Sequence, residues 1–189
     1  MKINWDKISI KKLALLVSGE LRKSGMDAVL VGGACVSIYT HNKYFSMDLD
    51  FVSGASLKEL APVMKSLGFK LKGRHFEHPG CRLLVEFPPP PVSIGNETPI
   101  RKFSTIKTLT LFTPTDCVKD RLAAYYHWSD PQSLKQAIMV ARSQPIHLAD
   151  IADWSKKEGA PEKFKRFETM LKKKSGYKTR VNQTPNRGV

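Results

Sequence analysis

Asp48 and Asp50, one residue apart, lie in the most chemically suggestive stretch of this chain, Val29 to Val52. On a β-strand side chains alternate between faces, so both carboxylates point one way while Leu49 packs behind them. Neighbouring carboxylates repel unless a cation lies between them, and an oxygen-only donor set suits Mg²⁺ or Mn²⁺. A third acid, Glu86, sits in the apolar run Leu83-Leu84-Val85-Glu86-Phe87, where an isolated carboxylate is costly unless it is paired or metal-bound. Gly32-Gly33 follows the apolar run Ala28–Val31. A tight turn there would open a short helix whose first N–H groups cradle a triphosphate. Each feature alone also has a structural reading: a solvated strand end, an outward-facing edge acid, a turn needing positive φ. Together they point to a site for a metal and a phosphate.

The elements expected to position these groups follow from periodicity and punctuation. Ile8, Leu13, Leu16, Val17 and Leu21 fall near helical spacing, so Asp6 to about Ser24 is expected to be an amphipathic helix ended by Gly25. A strand at Ala28–Val31, a helix at Ala34–Tyr39, a strand at Leu49–Val52 and a helix at Ser56–Leu67 come next, with Ser56 as N-cap and Gly68 past the end. Phe69–Leu71, Arg82–Phe87 and Lys107–Phe112 have strand character, and the four prolines Pro88–Pro91 must leave the sheet. From Pro114 the pattern is helical: Thr115 or Asp116 to Trp128, Pro131 to about Ala141, His147–Lys157 and Pro161–Lys173. The expected organisation is an α/β core at 1–113, a helical region at 114–173 and a basic tail, expected to be disordered, at 174–189.

Composition narrows the partners. The 189 residues carry 31 Lys and Arg against 17 Asp and Glu, a net charge of +14. Such a surface draws polyanions, because neutralising phosphates releases counterions. From Lys156 onward eleven Lys and Arg face three Glu. The first residues lack the apolar run and cleavage site of a secretion signal, and no apolar stretch is long enough to span a membrane, so a cytoplasmic location is expected. Cys35, Cys81 and Cys117 have no zinc or redox spacing and are expected to be reduced thiols.

Strand, Gly32-Gly33, short helix, Ser46-x-Asp48-x-Asp50 and a third acid on a later strand resemble the DNA polymerase β-type nucleotidyltransferase superfamily. Among its members the chain is most similar to the small prokaryotic minimal nucleotidyltransferases and AbiEii-toxin-like proteins. The likeness covers Val29 to about Phe87 by motif. It extends loosely through Asp116 to Ala124 and Gln136-Ala137. It implies an α+β nucleotidyltransferase fold, a mixed β-sheet flanked by helices, with a helical C-terminal region. It implies that Asp48 and Asp50 bind Mg²⁺ or Mn²⁺ and that Glu86 completes the catalytic and metal set by positioning or deprotonating the attacking hydroxyl. Gly32, Gly33 and Ser46 would contact the phosphates of an NTP. Arg121 is a further nucleotide-binding candidate, with a plain ion pair as its other reading.

The implied activity is transfer of a nucleoside monophosphate from an NTP to a hydroxyl of RNA (tRNA above all), of a protein or of a small molecule such as an aminoglycoside. The charge favours RNA, and a toxin with an antitoxin partner would fit. The rival reading is a catalytically degenerate protein of the same fold that binds nucleic acid or a partner. Retention of all three acids, which repel phosphate, favours catalysis. Tyr125, Tyr126, His127 and Trp128 are expected to pack between helices rather than stack on a base.

Overall fold

The computed structural model describes residues 3–173, so the expectation for the basic tail at 174–189 lies outside the described residues. The first half runs α1 (Ile10–Lys23), β1 (Ala28–Val31), α2 (Gly32–Tyr39), β2 (Asp48–Ser53), α3 (Leu57–Ser66), β3 (Lys70–Lys72), β4 (His75–His78) and β5 (Cys81–Glu86). A hairpin of β6 (Ser104–Ile106) and β7 (Leu109–Leu111) follows, then α4 (Pro114–Trp128), α5 (Pro131–Ser143), α6 (Leu148–Lys157) and α7 (Pro161–Lys172). The strands form one sheet in the order β3-β4-β5-β2-β1-β7-β6. β2 pairs antiparallel with β1 and parallel with β5, and β1 pairs parallel with β7.

Alternation along the central strands separates core from site. Leu49 and Phe51 of β2 and Leu83 and Val85 of β5 are wholly buried. Asp48, Asp50, Leu84 and Glu86, at the alternate positions, are half-buried on the other face. α1 buries Ile10, Leu13, Ala14, Val17 and Leu21 against β1, β7 and α3. Each large aliphatic side chain so buried contributes ~2 kcal/mol.

Local chemistry sets the helix ends. Ser9 caps α1 by accepting from the Lys12 N–H, so the helix starts at Ile10 and not at Asp6. Ser56 and Glu59 form a reciprocal capping box on α3. Thr113 and Asp130 cap α4 and α5, each followed by a proline that the first helical turn tolerates.

Three strand expectations change. Lys107–Phe112 is not one strand: Lys107 has φ 54° and turns the chain, giving the β6–β7 hairpin, while Phe112 continues toward Leu30 by an N–H to carbonyl bond of 3.1 Å. β4 is an additional strand between β3 and β5, with a register shift between Phe76 and His78. β3 begins at Lys70 rather than Phe69, whose side chain is buried in the core.

The helical segment closes over α2. Tyr126 stacks on Trp154 at 5.6 Å, and its hydroxyl lies 2.9 Å from Ser155 Oγ, so this aromatic pair packs between helices. Trp128, by contrast, is 82% exposed at the end of α4.

Glu158, after α6, ties the loop ahead of β6 to the helices. Its carboxylate accepts from the Asn96 N–H at 2.8 Å and Asn96 Nδ2 at 3.1 Å, and lies 2.9 Å from His127 Nε2. The Glu158 side chain is only 1% exposed, while its partners Asn96 and His127 are exposed, so truncation removes all three contacts but leaves the partners to water. Glu158→Ala is expected to lower unfolding free energy by about 2 kcal/mol, readable by urea denaturation. An unchanged midpoint would remove this junction from the stability account.

Candidate active site

The strand register brings the predicted acids to one face of the sheet. Asp50 is the parallel partner of Glu86 across β2 and β5, and Asp48 is the partner of Leu84. Partners in a ladder point to the same side, so the three carboxylates share the half-buried face. They are close enough to act on one another. The Asp50 carboxyl is pushed up to about 7, first by burial, then by the negative charges of Asp48 and Glu86, with Arg121 opposing.

Gly32 and Gly33 lie against these side chains. Gly32, at φ +68°, is so close to Asp50 that a Cβ would stand 2.6 Å from Asp50 Oδ2. A Cβ at Gly33 would stand 2.6 Å from Ser46 Oγ. The pair therefore does more than turn the chain, since only glycine lets the start of α2 lie against the acidic strand.

Ser46 is buried and donates through Oγ to Asp48 Oδ1 at 2.7 Å, which fixes that carboxylate's orientation. Its own N–H donates to Ser37 Oγ at 3.0 Å, and Ser37 in turn donates to the Gly33 carbonyl at 3.3 Å. Ser37 is the member that sequence reasoning missed. Its only signal is a position four residues after Gly33, one helical turn above the glycine pair.

Arg121, on α4, is committed to its neighbours. Nε and Nη2 donate to Asp120 Oδ2 at 3.0 and 2.5 Å, and Nη1 reaches Gln136 Oε1 at 3.4 Å. Both side chains of that ion pair are about one-fifth exposed, so the ion-pair reading holds in a largely buried setting. The charge still reaches Asp50 electrostatically. Lys119 is drawn away to Glu97 at 3.2 Å.

The donor set fits a hard divalent cation: three carboxylates on one face, no sulfur or nitrogen, and one acid whose proton affinity is raised first by burial and then by like charge. Among the described residues, no three His, Cys, Asp or Glu side chains already close on a single point. Also among the described residues, no helix is long and apolar enough to cross a membrane.

No family model matches the chain, and no curated protein matches it. Solved structures do. The chain is similar to ANT(2'')-Ia in complex with adenylyl-2''-tobramycin, with a TM-score of 0.50 and 11% identity over 85% of this chain and 97% of that one. A solution structure of the antibiotic-resistance factor ANT(2'')-Ia gives a TM-score of 0.48 and 11% identity, over 86% and 92% of the two chains. The first of these likenesses shows the fold: the mixed seven-stranded sheet and its helices share the fold of the nucleotidyltransferase ANT(2'')-Ia.

Proposed function

We propose that the chain is a metal-dependent nucleotidyltransferase that moves a nucleoside monophosphate from an NTP to an acceptor hydroxyl. The observation that carries this reading is the registered pair Asp50–Glu86, with Asp48 on the same face, pressed against the Gly32-Gly33 start of α2. Asp48, Asp50 and Glu86 are the residues that would hold Mg²⁺ or Mn²⁺, which when bound supplies positive charge to the entering and leaving oxygens at phosphorus. Ser46 keeps Asp48 in one orientation. Glu86, the register partner of Asp50, would take the proton of the acceptor hydroxyl. Among the described residues no side chain caps the first N–H groups of α2, which would donate to phosphate oxygens.

RNA is the acceptor favoured by a net charge of +14, which draws a polyanion. A small-molecule hydroxyl is the second reading, favoured by the adenylylated tobramycin in the similar structure. Against it, an aminoglycoside is itself polycationic and is repelled by the same charge.

The test is incubation with each α-labelled NTP, Mg²⁺ or Mn²⁺, and either total tRNA, no added acceptor or tobramycin, with Asp48→Ala and Asp50→Ala as controls. Label on tRNA from wild type alone supports the RNA reading, and label on tobramycin replaces it with the second. Label on the protein itself identifies a protein acceptor. Growth arrest on expression that needs both aspartates would mark a toxin. Neither label nor nucleotide binding would overturn catalysis in favour of a degenerate binding module. Independently of activity, Mg²⁺ is expected to raise the melting temperature of wild type by several degrees, about what 1–2 kcal/mol of linkage gives, and not that of Asp50→Ala. Equal shifts in both would remove Asp50 from the metal site.

A further inference from the structure

Arg82 is a cation on the site face that the machinery described so far does not use. It lies on β5 two residues before Leu84, the register partner of Asp48, and four before Glu86. Strand alternation puts it on the same face as both, while Leu83 and Val85 point into the core. A rise of ~3.3 Å per residue and a strand spacing of ~4.8 Å put its Cα roughly 8 Å from that of Asp48 and roughly 13 Å from that of Glu86.

The guanidinium is held without being neutralised. It lies over the ring of Phe45, 4.9 Å from the centroid. Phe45 is 38% exposed and immediately precedes Ser46, whose hydroxyl orients Asp48. Among the described residues, no carboxylate is within ion-pair distance of Arg82. Stacking on an aromatic face fixes the plane of the fork and leaves its in-plane N–H groups available.

The site is therefore polarised along the strands. Asp50 and Glu86 lie at one end and Ser46 and Arg82 at the other, with the start of α2 spanning the two, Gly32 against Asp50 and Gly33 against Ser46. A cation held by the acids would offset phosphate charge at that end only, which leaves the terminal phosphates to a basic group at the other. We propose that Arg82, seated on Phe45, holds the β- and γ-phosphates of the nucleoside triphosphate and thus the departing pyrophosphate. This assignment rests on the nucleotidyltransferase reading.

The test compares wild type, Arg82→Ala, Phe45→Leu and Phe45→Tyr in Mg²⁺ buffer, titrated with ATP, GTP, CTP, UTP, AMP and inorganic pyrophosphate. Transfer is assayed in parallel. Arg82→Ala is expected to weaken the NTPs it binds and pyrophosphate by about 10- to 100-fold, by the same factor whatever the base, and to leave AMP and the melting temperature unchanged. Phe45→Leu should show a smaller loss of the same pattern, and Phe45→Tyr, which keeps the ring, should restore binding. Equal weakening of AMP and ATP would overturn the assignment by moving Arg82 to the base or sugar. Transfer and binding like wild type in Arg82→Ala would overturn it while leaving the proposed function standing. A wild type that binds no NTP and transfers nothing overturns both.

Discussion

Asp50→Asn is expected to abolish nucleotidyl transfer and, in metal-free buffer at pH 8, to make the protein more stable. The carboxyl is pushed up to about 7 in the fold from an ordinary 3.8, because burial and then Asp48 and Glu86 disfavour its charge. An acid raised in this way binds its proton more tightly folded than unfolded. Stability is then highest at low pH, falls as pH climbs from about 4 to about 7, and is flat above. A rise of that size corresponds at most to about 4 kcal/mol. Partial solvent access makes about 2 kcal/mol the working figure, or roughly 4–8 °C of melting temperature. Asparagine removes the charge and nearly keeps the shape, so its gain should be small at pH 4, grow to pH 7 and then plateau. Transfer should fall by about 10³-fold, since a group that would hold the cation is lost. The checks are melting curves in EDTA across pH 4–9 and the labelled-NTP assay. A pH-independent gain, or a loss at pH 8, would defeat the repulsion account.

Gly32→Ala attacks the same carboxylate from the other side. At φ +68° a side chain is strained by ~1–2 kcal/mol. Its Cβ would also arrive 2.6 Å from Asp50 Oδ2, so either the carboxylate or the start of α2 must move. Displacement of a reacting group by about 1 Å costs roughly 100-fold in rate. The expectation is a loss of about 2 kcal/mol in stability with at least that loss in transfer. Gly33→Ala has no unfavourable φ but meets Ser46 Oγ at 2.6 Å and should break the Ser46–Asp48 bond. Adding Ser46→Ala to Gly33→Ala should then recover stability, and a strictly additive double mutant would argue against the contact. Urea denaturation and single-turnover transfer read both effects.

What the sequence revealed of the site is what local periodicity encodes. Asp48-Leu49-Asp50 places two acids on one face because strand side chains alternate. Glu86 stood out because a carboxylate in an apolar run needs a reason. The register that sets Glu86 beside Asp50 is a tertiary fact, and no local pattern contains it. The glycine pair was legible as a turn, but the close approach of Asp50 and Ser46 that excludes a Cβ was not. β4 escaped because His75-Phe76-Glu77-His78 is short and its pairing shifts at Phe76/His78. Lys107–Phe112 misled because a non-glycine residue takes the left-handed conformation at the hairpin turn. The sequence offers Arg121 two roles, and its contacts with Asp120 and, across to α5, with Gln136 show the ion pair.

The parallel pairing of β1 with β7 also has a consequence for synthesis on the ribosome. β1 is the apolar run Ala28–Val31, and the edge it turns away from β2 is covered only when Val29 meets Thr110 and Leu30 meets Leu111. A nascent chain that has emerged only through β5 presents that edge as unpaired N–H and carbonyl groups, a template for another chain. Closure must wait for a contact distant in sequence, which slows folding and prolongs the exposure. Truncations ending before Leu109 should therefore accumulate as aggregates, whereas chains that include the β6–β7 hairpin can seal the sheet.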